Sequence, residues 1–133
     1  MAGKNRIVTE NYRDGVTVVH FLDKSIMDEQ NIQQIGKELY ALVDKEKKTK
    51  IILDFGEVEC LSAMALGKLI VFNGRIERAG GKLVICELAD GGSGDVWHMF
   101  MVTKFNRIFA GCFRRDPQKP GATLVEAMKI FAS

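Results

Sequence analysis

The stretch that decides the fold is residues 50–88, KIILDFGEVECLSAMALGKLIVFNGRIERAGGKLVICEL. Its first part, Ile51 to Phe55, is apolar except for one aspartate, which is typical of a strand covered on both faces. A helical segment from Ala63 to Ala79 follows, and Gly80-Gly81 ends it before a second apolar run. The pattern predicts a βαβ unit with a right-handed crossover. Because sites in open α/β sheets lie beyond the carboxyl ends of strands, we expect function at Glu57 to Lys68.

The chain before this unit reads as a hairpin and a helix. Ile7 to Thr9 and Val16 to Phe21 are β-branched runs on either side of an Asp-Gly turn signal, which predicts an antiparallel pair. His20 lies in the second run, and we expect a sheet residue there rather than a ligand or a base. Asp28 is suited to cap a helix, and apolar residues then recur at helical spacing: Ile32, Ile35, Leu39, Leu42 and Val43.

A glycine-rich segment, Asp90 to Asp95, follows the second strand of the unit. Such a turn between a strand and a helix can hold phosphate through its amides, which makes Gly92, Ser93 and Gly94 candidate ligand-binding residues. The segment lacks the Lys-Ser/Thr of a P-loop and the spacing of a dinucleotide fingerprint. We therefore favour a loop with no ligand.

The last third of the chain is apolar and then loop-rich. The residues from Trp97 to Phe109 predict a packing face, with homodimerisation through any exposed members as an alternative, and Ile108-Phe109 reads as a short edge strand. Thr123 and Glu126 have the spacing of a capping box ahead of a final amphipathic helix.

Composition narrows the class of protein. The 133 residues predict a single domain, 1–133, and a formal charge of +2 is too small to favour nucleic acid. The sequence has neither a signal peptide nor an apolar run of bilayer length, so we expect a cytoplasmic protein without direct membrane insertion. Three cysteines without CxxC spacing predict neither a disulfide nor a zinc site. No cofactor motif, metal-ligand spacing or catalytic constellation is present, and we expect no enzyme.

The ordered set of elements and residues resembles the STAS family, whose soluble members are bacterial anti-sigma-factor antagonists. The residues that carry the resemblance are Val18 to Phe21 before Met27-Asp28, Ile51-Leu53-Asp54 followed by Val58, Ala65 to Leu69, Ala79 to Val84, and Val102 to Phe105 before Ile108-Phe109. It covers roughly residues 6 to 132.

The resemblance implies an α/β fold with element order ββαβαβαβα, a mixed sheet of about five strands and four helices packed mainly on one side. It also implies an interaction module without enzymatic activity, whose partner is an anti-sigma factor or another regulatory protein. The residues that it assigns to partner binding are Met27, Asp28, Ser62, Ala63, Met64, Ala65, Gly67 and Lys68.

One position departs from the family pattern. Members that switch partners carry an Asp-Ser-Ser-Gly-Leu-Gly-type sequence, and an anti-sigma kinase phosphorylates the second serine. Here the aligned residues are Ser62 to Ala65, so that Met64 stands at the phosphorylated position. A thioether cannot accept phosphate, and the only nearby hydroxyl, Ser62, is either a helix cap or a phosphoacceptor.

Two other functions remain open from the sequence. One is a small-molecule or nucleotide sensor that uses the Asp90 to Asp95 segment. The other is a STAS subunit attached to a transporter or a larger scaffold. The favoured hypothesis is an antagonist-like module that has lost the usual phospho-switch.

Overall fold

The structure, a computed structural model, describes residues 5–89 and 96–132. A five-stranded sheet has the order β1-β2-β4-β6-β7, in which β1 is antiparallel to β2 and the other neighbours are parallel. A separate parallel pair is formed by β3 and β5. The strands are β1 Ile7–Asn11, β2 Val16–Phe21, β3 Ser25–Ile26, β4 Lys50–Asp54, β5 Cys60–Leu61, β6 Lys82–Leu88 and β7 Gly111–Arg114. The helices are α1 Glu29–Asp44, α2 Ala63–Arg78, α3 Val96–Val102 and α4 Ala122–Phe131.

The predicted βαβ unit is confirmed. β4 and β6 are parallel neighbours, with Ile52 opposite Val84, and α2 connects them. The helix ends where the glycine pair predicts, because Gly80 adopts a φ of 84° and the Gly81 amide donates to the Ile76 carbonyl at 2.9 Å. A side chain at Gly81 would collide with the main chain of Thr49, so glycine is required for this close passage.

The predicted first hairpin is also confirmed. Asp14 and Gly15, at the turn, have φ angles of 66° and 77°, the left-handed region that an Asp-Gly turn needs. The Tyr12 amide donates to the Val16 carbonyl at 2.8 Å and closes the turn.

Both faces of the central strands are buried, and the helices divide unequally between them. Ile51 and Leu53 face the larger core, which α1, α2 and α3 cover, whereas Ile52 faces a smaller core under α4. In the larger core the Phe55 ring lies 5.0 Å from the Phe21 ring and 6.4 Å from the Phe100 ring, both edge to face. The expected mixed α/β fold, with helices mainly on one side, is therefore confirmed.

The amino end of α4 is capped from the sheet. Glu87 in β6 is only 4% exposed, and its carboxylate accepts from the amides of Gly121 and Thr123, at 3.0 and 3.2 Å, and from the Thr123 hydroxyl. The expected capping box of Thr123 with Glu126 is wrong, since α4 begins at Ala122 and the remote carboxylate takes the place of the local one.

The expected edge strand at Ile108-Phe109 is wrong as well. The edge strand is β7, which begins at Gly111, while the Phe109 ring packs 5.8 Å from the Phe100 ring in the core. A side chain at Gly111 would meet Ile130 of α4, so glycine allows this helix to pack on the edge of the sheet.

Candidate docking surface

A short strand pair brings two distant segments of the chain together. β3 and β5 pair in parallel, with Ser25 opposite Cys60 and Ile26 opposite Leu61. Beyond the pair, the Ser62 amide donates to the Ile26 carbonyl at 3.1 Å. The residues that follow the two strands begin α1 and α2, so the amino ends of these helices lie side by side.

Both helix ends are capped by the residues that the sequence indicated. The Asp28 carboxylate accepts from the amides of Gln30 and Asn31 at 2.7 and 3.3 Å. The Ser62 hydroxyl oxygen accepts from the Ala65 amide at 3.2 Å. These bonds satisfy free amides and fix the direction in which each helix starts.

Two exposed methionines stand at this paired helix start. Met27 is 55% exposed and Met64 is 47% exposed, although methionine side chains are usually buried. Ala63 and Gly67 are also exposed, and a side chain at Gly67 would find no atom within 4 Å. We use the name docking surface for the set Met27, Asp28, Ser62, Ala63, Met64, Gly67 and Lys68.

Ala65 does not belong to this surface. Its side chain is 5% exposed and packs in the larger core, because it lies on the inner side of the first turn of α2. The sequence had placed it among the partner-binding residues, but only its backbone is near the exposed turn.

The side chain and the carbonyl of Lys68, on α2, both contact α1. The aliphatic part of its side chain passes over Gly36, where a side chain would come within 3.2 Å of the Lys68 Cδ. The Tyr40 hydroxyl donates to the Lys68 carbonyl at 3.4 Å. The apolar void that Lys68 lines with core residues has a volume of about 10 Å³, comparable to the space needed by one water molecule.

The loop between β4 and β5 is fixed at its start by Asp54. The carboxylate of Asp54 accepts from the Gly56 amide at 2.8 Å and lies 3.4 Å from Nδ1 of His20. Burial raises the pKa of the Asp54 carboxyl, and the Gly56 amide and His20 partly oppose this rise. His20, as expected, is a sheet residue, and its other ring nitrogen lies 2.5 Å from the Glu10 carboxylate.

Arg115 holds the rest of this loop. Its guanidinium donates to the carbonyls of Phe55 and Val58, at 2.8 and 3.3 Å, and to the Glu59 carboxylate at 3.2 Å. The sequence does not single out Arg115, because a lone arginine gives no sign of contacts with residues almost 60 positions earlier. Arg115 therefore fixes the loop that leads to β5 and the docking surface, a role that the sequence did not indicate.

The three cysteines, all described, are unpaired. Burial raises the pKa of the Cys86 thiol, and it raises the pKa of Cys112 to about 12. These two thiols are therefore protonated near neutral pH and poor nucleophiles. Across residues 5–89 and 96–132, no group of three or more His, Cys, Asp or Glu side chains is arranged to hold a metal ion. Over the same ranges, no helix is both long enough and apolar enough to span a membrane.

Of the two other surfaces that the sequence predicted, only one lies within the described residues. The candidate ligand-binding residues Gly92, Ser93 and Gly94 lie outside the described residues. On the Trp97 to Phe109 face, most large side chains pack against the larger core; Val102 and Ile108 are exposed there. Dimerisation through this face stays a prediction.

Comparisons with known proteins concern the family and the fold of the chain. The STAS domain family model matches residues 9–119. A candidate anti-sigma factor antagonist of Bordetella bronchiseptica, BtrV, is 28% identical over 86 residues, which span 65% of this chain and 70% of BtrV.

Solved structures show the same fold. A candidate anti-sigma factor antagonist of Thermotoga maritima superposes with a TM-score of 0.74 at 17% identity, covering 96% of this chain and 95% of the other. A STAS domain protein of Planctomyces limnophilus gives 0.72 at 20% identity, with 96% and 98% covered. A sulfate transporter family protein of Wolinella succinogenes gives 0.65 at 15% identity, with 93% of each chain covered.

Proposed function

The chain belongs to the STAS domain family, and from that premise we propose that it is a non-enzymatic module that binds an anti-sigma factor or a related regulatory protein. The observation that carries the proposal is the pair of exposed methionines at adjacent, capped helix starts. Methionine is flexible and polarizable, and exposed methionines are typical of surfaces that bind protein partners. A cytoplasmic location is part of the proposal.

Support for docking at this place comes from how rigidly the turn is held. Asp28 and Ser62 cap the helices, β3 and β5 join the two segments, and Arg115 fixes the preceding loop. A surface that is ordered before binding loses less conformational entropy when the partner arrives. The methionines then supply apolar contact area, and Asp28 and Lys68 add charged groups to the same surface.

We propose further that the partner is not released by phosphorylation of this turn. Met64 stands where the resemblance places the phosphorylated serine, and the side chain of Ser62 caps α2. Incubation with ATP and the anti-sigma kinases of the source organism tests this. We expect no stoichiometric phosphate on the protein, whereas stoichiometric phosphate on Ser62 would show that a switch is retained.

Binding itself is tested with a charge placed on the docking surface. Met64→Glu puts a carboxylate on an exposed position, so folding should be unaffected while the affinity for the anti-sigma factor falls at least tenfold, about 1.4 kcal/mol. The matched control is Val125→Glu, because Val125 is an exposed apolar residue on α4 and outside the docking surface. Equal affinity of Met64→Glu and the native protein would contradict the proposal.

A STAS subunit of a transporter or scaffold is the second candidate. The similar fold of the Wolinella sulfate transporter family protein makes it worth testing. Affinity purification from native cells distinguishes the two, because a transporter partner would co-purify from the membrane fraction and an anti-sigma factor from the soluble fraction.

A further inference from the structure

The outer edge of β1 presents main-chain groups that the sheet does not use. At one end of the hairpin the Leu22 amide donates to the Arg6 carbonyl, and at the other the Tyr12 amide donates to the Val16 carbonyl. Main-chain groups of alternate residues in an antiparallel strand point to the same side. The groups of even-numbered residues therefore face β2, and those that face away belong to Ile7, Thr9 and Asn11.

Within residues 5–89 and 96–132, no strand pairs with the outer edge of β1. β1 is the last strand of the sheet and borders a groove of about 430 Å³ between itself and α1. Natural edge strands are commonly protected by proline, lysine or a bulge, and β1 has none of these. Its exposed apolar side chain, Val8, is 47% accessible. In the part of the chain that the structure describes, no hydrogen bond reaches the outward groups of Thr9.

The one outward amide near the start of the strand is already satisfied. The Glu38 carboxylate of α1 accepts from the Ile7 amide at 3.3 Å and from the Arg6 amide at 2.9 and 3.0 Å. The outward donors that remain are then the amides of Thr9 and Asn11. The carbonyls of Ile7 and Thr9 are available as outward acceptors. Under a two-fold axis at Thr9, each of these donors meets one of these acceptors.

We propose that a second copy of this chain binds here, β1 against β1 in antiparallel orientation and centred on Thr9. The Thr9 amide of each copy donates to the Thr9 carbonyl of the other, and the Asn11 amide donates to the Ile7 carbonyl. Val8 lies opposite Glu10 of the second copy, so the two Glu10 side chains are not directly opposite each other in the strand pair. Such an interface is isologous, and it joins the two five-stranded sheets into one of ten.

This interaction is separate from the docking surface and independent of the proposed function. Among the residues that the structure describes, the groove is lined by Glu38 and Glu46 and by no basic residue. A strand from another protein that carried positive charge would bind the same edge, and the experiment below distinguishes it from a second copy. Self-complementarity of the free main-chain groups is the reason to prefer the second copy.

The first test measures oligomeric state against concentration by analytical ultracentrifugation. Thr9→Pro removes the outward amide of both copies at once, and proline is tolerated at sheet edges where that amide faces away from the sheet. We expect the native protein to dimerise and the concentration of half-dimerisation to rise at least about tenfold in Thr9→Pro. Thr9→Val keeps the amide and should dimerise like the native protein. A native protein that is monomeric at every concentration overturns the proposal.

A cross-link tests the register and does not depend on whether Thr9→Pro folds. Residues in a hydrogen-bonded antiparallel pair have Cα atoms about 5.5 Å apart, within the range that a disulfide bridges. Thr9→Cys should therefore form a disulfide-linked dimer on mild oxidation. Val8→Cys and the native protein, which has three cysteines of its own, should not. Equal cross-linking of all three, or a dimer unaffected by Thr9→Pro, places the contact elsewhere and overturns the proposal.

Discussion

Gly67 offers a test in which fold stability and partner binding change in opposite directions. It lies in the interior of α2, it is exposed, and its φ is not among the positive values. A side chain there would find no atom of the fold within 4 Å. Glycine in a helix is less favourable than alanine by about 0.8–1.0 kcal/mol, so nothing within the described fold requires glycine at this position.

Gly67→Ala should therefore raise the free energy of unfolding by about 0.8–1.0 kcal/mol, and Tm by roughly 3 °C. If a partner packs closely on this turn, the added methyl group overpacks the interface. Overpacking typically costs about 1–3 kcal/mol, which is roughly a fivefold to more than a hundredfold loss of affinity. Urea denaturation measures the first effect, and titration calorimetry with the proposed partner, an anti-sigma factor, measures the second.

Gly74→Ala is the matched control. Gly74 lies on the same helix with the same open space around its Cα, about two turns and 10 Å further along the axis. It should show the same gain in stability and unchanged affinity. A Gly67→Ala protein that is stabilised and binds like the native protein would refute close packing of the partner at this turn, and an equal loss in both variants would show that the effect is not local.

Three further variants test the Met64 position, the cap of α4 and the buried Asp54 carboxyl. Met64→Ser should accept phosphate from an anti-sigma kinase and then bind its partner more weakly. Val71→Ser, on the same helix, should stay unmodified. A Met64→Ser protein that takes up no phosphate would count against the alignment of Met64 with the phosphorylated serine. Glu87→Ala leaves the amides at the start of α4 unpaired and should lower the free energy of unfolding, measured in urea, by about 2–4 kcal/mol. Glu87→Gln should lower it less. A Glu87→Ala protein as stable as the native protein would contradict the capping role of Glu87. Burial raises the pKa of the Asp54 carboxyl, so the native state binds its proton more tightly than the unfolded state does. The stability that this carboxyl contributes is then present at low pH, and it is lost as the pH rises from the ordinary pKa of 3.8 through the raised pKa. Asp54→Asn should therefore remove this part of the pH dependence in urea denaturation. A contribution of Asp54 that grows with pH would contradict the prediction.

Much of the fold could be predicted because its signals are local. The central strand Ile51 to Phe55, the helix from Ala63 and the Gly80-Gly81 stop each follow from hydrophobic period or from turn chemistry. The caps Asp28 and Ser62 were also predicted, since a capping side chain bonds to amides within three residues.

The elements that were missed depend on contacts between distant residues. β3 and β5 have two residues each, too few to show an alternating pattern, yet their pairing places Met27 beside the start of α2. The amides at the start of α4 are capped by Glu87, which lies 34 residues before Gly121 in the sequence. β7 begins at a glycine because Ile130 of α4 needs the space, which no strand propensity expresses.

The residues proposed for docking were chosen from the sequence, and the structure brings all of them except Ala65 to one exposed turn. Its position follows from the βαβ unit and from the family resemblance. Burial removes Ala65 from it, because the inner side of the first turn of α2 depends on how the helix packs on the sheet. Arg115 joins its support through a contact across the carboxyl edge of the sheet.

The most direct test is a titration, followed by NMR, of the protein with labelled methionine methyl groups against the proposed partner, an anti-sigma factor of the source organism. Of the five methionines that the structure describes, Met27 and Met64 lie on the docking surface, Met99 and Met101 are on α3, and Met128 is on α4, where it packs against the smaller core. We predict that the methyl signals of Met27 and Met64 shift or broaden on binding while that of Met128 stays in place. Binding that moves Met128 and leaves Met27 and Met64 unchanged would contradict the central claim.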